Sequence, residues 1–108
     1  MTVMFEERER SYESKWAHEQ EAHFKIMADR NAALGRWAAA MMKLPSGEAG
    51  PYVQAVINAG VSGRGADPVF EKVRGDLAAR GVTCPDSVIH RKMKELYEKA
   101  EAKILAKD

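Results

Sequence analysis

Large apolar residues recur along this chain at helical spacing, in four stretches separated by Pro and Gly. The stripe Phe24, Met27, Leu34, Ala38 and Met41 follows a heptad-like spacing, joined by Ala28 and Trp37, and predicts a helix over about 22–44. Asn31 stands within that spacing where a hydrophobe would be usual. Gly35 costs about 1 kcal/mol relative to Ala in a helix interior and suits close approach by a neighbouring helix. Pro45-Ser46-Gly47 ends the stripe. Tyr52, Val53, Val56 and Ile57 predict a second helix over about 51–60. Its start is placed at Pro51, because a missing N–H is harmless at a first helical position, although Ser46 could cap an earlier turn. Val61–Ala66, with Gly63 and Gly65, reads as a flexible linker. Asp67 is the expected N-cap of a third helix over about 67–80, with Pro68 next, the stripe Val69, Phe70, Val73 and Leu77, and Gly81 as its stop. Val88, Ile89, Met93, Leu96, Tyr97, Ala100 and Ile104 predict the last helix over about 86–106. No strand pattern or internal repeat is present. Four amphipathic helices with short connections bury their faces only against one another, so the expected class is all-α, a four-helix bundle over 22–108.

Residues 1–21 differ from this body. Phe5, Tyr12 and Trp16, spaced seven and four apart, make one narrow helical seam in a stretch where acids outnumber bases six to three. That is too little apolar surface to dock firmly on the chain's own bundle. The segment is expected to be mobile, disordered or nascent-helical, and to order when a partner covers the three aromatics. A solvent-exposed extension of the first body helix explains the same residues equally well.

Composition narrows the function classes. The chain has 108 residues, 31% of them charged, with 17 Lys and Arg against 16 Asp and Glu. A net charge of +1 argues against a nucleic-acid binder, which needs a basic face. The run His90-Arg91-Lys92 with Lys94 is followed at once by Glu95 and Glu98 and reads as a solvated face, with Glu95 and Lys99 in the favourable i, i+4 order. Cys84, the single cysteine, allows no internal disulfide and fits a reducing compartment. No apolar run approaches a membrane span, and the N-terminus lacks a signal-peptide pattern.

Catalytic and metal signatures fail on spacing. His18 and His23 flank Glu19, but the second His comes one residue too late for a His-Glu-x-x-His site, which rotates it roughly 140° off the first. Gly60–Gly65 follows a helix rather than a strand, and no Gly-Lys-Ser/Thr follows it. Cys84 has no His or Asn partner in a triad-like arrangement. The expectation is no enzyme, no metal and no cofactor.

An ordered set of residues carries a resemblance. Phe5-Glu6-Glu7-Arg8-Glu9, then Tyr12-Glu13-x-Lys15-Trp16-Ala17-His18-Glu19, resembles the N-terminal signature of the zeta subunit of alphaproteobacterial ATP synthases, natural inhibitors of that rotary ATPase. The likeness continues through Arg30-Asn31, Leu34-Gly35, Trp37-Ala38-Ala39, Lys72-Val73-Arg74-x-Asp76-Leu77 and Ile89-x-Arg91-Lys92-Met93. The resemblance implies a four-helix bundle whose mobile N-terminal region folds as a helix into a catalytic α/β interface and reaches the central rotor subunit. It implies a cytoplasmic protein, peripheral to the inner membrane through its synthase partner and not inserted in it. On the matching positions, the implied contact residues are Phe5, Glu6, Glu7, Arg8, Glu9, Tyr12, Glu13, Lys15 and Trp16. The aromatics would fill apolar clefts and the charges would set register. This chain departs from the pattern at Trp16, where Phe or Tyr is expected, at Gly50-Pro51, at the glycine-rich 60–65 and at Pro85. The alternative function is a small helical adaptor that uses the same N-terminal helix on an unrelated protein.

Overall fold

The computed structural model describes the backbone of residues 2–62 and 67–107, and the side chains of residues 19–61 and 68–106. The described backbone is four helices with no strand: α1 (Thr2–Met41), α2 (Ser46–Ser62), α3 (Asp67–Ala79) and α4 (Asp86–Lys107). The linker residues 63–66 and the side chain of the expected cap Asp67 lie outside the described residues.

Each boundary has a local cause. The α1 terminus is a Schellman turn: Leu44 N–H donates to the Ala39 carbonyl at 3.0 Å and Lys43 N–H to the Ala40 carbonyl at 3.1 Å. Lys43 takes the left-handed position there, with φ 56°. The helix therefore stops at Met41, ahead of the Pro45 that the sequence points to. Gly81 does the same job after α3, with φ 74°, Val82 N–H on the Leu77 carbonyl at 2.9 Å and Gly81 N–H on the Ala78 carbonyl at 3.0 Å. The second helix starts at Ser46, not at Pro51: the Pro45 carbonyl accepts from Ala49 N–H at 3.1 Å, and Pro51 lies inside the helix. The bond that Pro51 cannot donate would have gone to the carbonyl of Gly47, an exposed residue where water can replace it. The α4 start follows the expected place, with Pro85 accepting from Val88 and Ile89.

The core is one cluster: Leu34, Ala38 and Met42 from α1, Val56 from α2, Val69, Phe70, Val73 and Leu77 from α3, and Ile89 and Met93 from α4. Adjacent helices run antiparallel. Gly35 meets α2 at Val53 and Val56, while Asn31, one turn earlier, meets Gly60. Phe70 stacks on His90, and Arg74 pairs with Asp86 at 3.1 Å. Lys103 near the end of α4 reaches Asp29 at 3.1 Å. Gly35 does permit close approach: a Cβ there would stand 3.0 Å from the Val53 Cα.

The α1 stripe is corrected in two places. Phe24 and Met41 are exposed, while Ile26, Arg30, Asn31, Ala39 and Met42 are buried. The buried positions recur every three to four residues and cover a wider arc than the heptad reading. Phe24 is left bare because α2 reaches its end near it, at Val61 and Ser62.

The proportions follow from α1. Forty helical residues span about 60 Å, and the molecule measures 66 × 23 × 21 Å. Its radius of gyration is 17.9 Å, against roughly 13 Å for a compact chain of this length. The backbone of α1 therefore runs on, unbroken, beyond the bundle that packs on its second half.

Candidate interaction site

The nine residues singled out by the sequence, Phe5, Glu6, Glu7, Arg8, Glu9, Tyr12, Glu13, Lys15 and Trp16, lie on the backbone of α1, on the part ahead of the bundle. Their side chains, and that of His18, lie outside the described residues. Helical backbone fixes their register: at about 100° per residue, positions 5, 12 and 16 fall within roughly 40° of one another. No Gly or Pro interrupts α1 before Gly35.

Where α1 enters the bundle, its face meets the end of α2. Phe24, Met27, Ala28 and Asn31 from α1, with Ile57, Gly60 and Val61 from α2, line a groove of about 210 Å³. Phe24 is 65% exposed and Val61 69%. The floor is set by contact between the two helices: a Cβ on Gly60 would collide with the Asn31 amide nitrogen.

Asn31 has a second task on its other side. Its Oδ1 accepts from Arg30 Nε at 3.0 Å and from Arg30 Nη2 at 2.9 Å. Both residues are buried. Burial pulls the Arg30 guanidinium below its ordinary value, and the neighbouring Tyr97 acts in the opposite sense. Arg30 also lines a cleft of about 500 Å³ with His90, Met93, Lys94, Tyr97, Glu98 and Glu101. A long charged side chain on a helix is ordinarily a solvated one, so the charge of Arg30 points away from its burial. The signal was the Asn beside it on the apolar arc.

The remaining candidates are absorbed by the fold. Cys84 is half-buried and packs against the core cluster. The His90 ring stacks on Phe70 with centroids 4.1 Å apart. Lys92 and Lys99 both pair with Glu95 at 3.2 Å, which holds the Glu95 carboxyl below its usual value and breaks up the basic run. Tyr52 Oη donates to Asp76 at 2.9 Å, and Lys72 pairs with the same carboxylate at 3.1 Å, which ties α2 to α3. Among the described residues no three His, Cys, Asp or Glu side chains gather as metal ligands. No helix there is long and apolar enough to cross a membrane.

A bundle with a filled core, an unbroken helix carried past it and an apolar groove at the junction define a helical interaction protein. The chain belongs to the ATPase inhibitor subunit zeta family, whose model matches residues 1–103. It is thus a regulatory chain that acts on ATP synthase, not a catalytic one. No curated protein and no solved structure matches it.

Proposed function

We propose that this chain blocks ATP hydrolysis by inserting the N-terminal part of α1 into a catalytic α/β interface of ATP synthase, close to the central rotor subunit, while the bundle stays outside. The observation that carries this reading is the length of α1: 40 residues, of which the described residues that meet the other helices or are buried run from Phe24 onward. The free half has the register of a recognition helix, with Phe5, Tyr12 and Trp16 on one seam and Glu6, Glu7, Arg8, Glu9, Glu13 and Lys15 around it.

The physical mechanism is a population shift. Each catalytic interface must pass through open and closed states, and a helix that fits one state better holds the enzyme there. It does so only by its difference in affinity between the states. Burial of three aromatics must exceed the several kcal/mol typical of ordering a segment on binding. The protein would then be cytoplasmic and peripheral to the inner membrane through its partner.

A photo-crosslinking residue placed at Trp16 tests the location. The reading expects products with the α and β subunits of ATP synthase under hydrolysing conditions. Efficient inhibition with crosslinks only to other subunits would remove it.

A further inference from the structure

An apolar groove lies where α1 enters the bundle, against the end of α2. Phe24 and Val61 are its walls and are 65% and 69% exposed. Among the described residues Asn31 is its one polar lining side chain, and the Asn31 Oδ1 already accepts two N–H groups from Arg30. The mostly apolar lining favours an apolar occupant, and the opening admits one or two large side chains. We propose that this groove is a second docking surface for ATP synthase, filled by apolar side chains at the rim of the cleft that receives the N-terminal half of α1.

The proposal rests on the reading above and adds to it a contact made by the body. Two relationships favour this occupant. The first is continuity. Met27 lies eleven residues after position 16, which brings it back within about 20° on a helix. The seam of positions 5, 12 and 16 therefore runs into the groove along one side of α1. The second is distance. Phe24 is eight residues, or about 12 Å, beyond position 16. No glycine or proline intervenes to let the body swing away. A partner that holds the seam is brought against the groove, and exposed aromatic and aliphatic anchors of this kind are what such a rim can cover.

The test compares the full chain with the double variant Phe24→Ser, Val61→Ser and with Met41→Ser as control. Met41 is an exposed apolar residue at the opposite end of the bundle. Both altered groove residues are exposed, and helix content with thermal unfolding checks each fold. The readouts are the concentration giving half-maximal inhibition of purified ATP synthase and the mass in solution at that concentration. The double variant is expected to need roughly tenfold more protein or beyond, the ordinary loss for removing interface anchors. Met41→Ser is expected to match the unaltered chain. Equal potency of the double variant and the unaltered chain overturns the groove proposal and leaves the N-terminal helix reading standing. A dimeric unaltered chain that the double variant converts to monomer also overturns it, because the groove would then be a surface between copies. If the unaltered chain does not inhibit, the reading beneath fails and the groove proposal falls with it.

Discussion

Gly60 of α2 lies so close to the Asn31 amide of α1 that no side chain fits between them. Asn31 is held there because its Oδ1 takes two N–H donors from buried Arg30. Gly60→Ala must push the Asn31 amide away or separate the helices. It is expected to destabilise the bundle by about 1–3 kcal/mol. Asn31→Ala leaves Arg30 without that acceptor and is expected to cost about as much. Chemical denaturation of each variant checks both.

The two helix stops make a matched pair with opposite expectations. Lys43 and Gly81 both sit at the left-handed position of a Schellman turn, with φ 56° and 74°. Lys43→Gly removes Cβ strain and is expected to stabilise by up to about 1 kcal/mol, while Gly81→Ala introduces it and is expected to cost about 1 kcal/mol. Opposite shifts in unfolding midpoint are the measurement. Shifts of the same sign would contradict the assignment.

Stability is expected to fall in alkali partly through Tyr52. Burial first, and then its bond to Asp76, push the Tyr52 hydroxyl above its ordinary value of 10.0. Because the folded value lies above the unfolded one, the fold favours the protonated form. That contribution is complete below pH 10 and is lost as pH rises beyond it. Tyr52→Phe should lose about 1 kcal/mol near neutrality and show a shallower decline above pH 10. Unfolding free energy measured across that range, with and without the substitution, decides it.

Replacing Phe5, Tyr12 and Trp16 together by Ala should abolish most inhibition of ATP hydrolysis and leave the bundle's unfolding midpoint unchanged. These residues lie ahead of the packed half of α1. A midpoint that drops by several degrees would instead place the aromatics on the chain's own body.

Much of the architecture was legible because each body helix buries one periodic stripe. Val69, Phe70, Val73 and Leu77 are all buried as their spacing implies, and Gly35 and Gly81 do what a missing Cβ suits them for. Three features were not legible. A stripe does not record where its neighbours end, so Phe24 looked like core. Proline is favoured at a first helical position yet tolerated near any exposed N-terminal turn, so Pro51 misplaced the start of α2. Arg30 lies on the buried row of Ile26, Leu34 and Ala38, but a charged side chain does not count toward an apolar stripe, and its bond to Asn31 is not a periodic signal. The groove follows from the same blind spot as Phe24: it exists because α2 stops at Ser62 while α1 continues.

The central claim is that the N-terminal half of α1 carries the inhibition. The most direct measurement compares three species on purified ATP synthase: the intact chain, the chain lacking residues 1–19, and a peptide of residues 1–19. The account predicts strong inhibition by the intact chain, none by the truncated body although it remains folded, and weaker inhibition by the peptide, which must be ordered without the rest of α1. A truncated body that inhibits as well as the intact chain would contradict it.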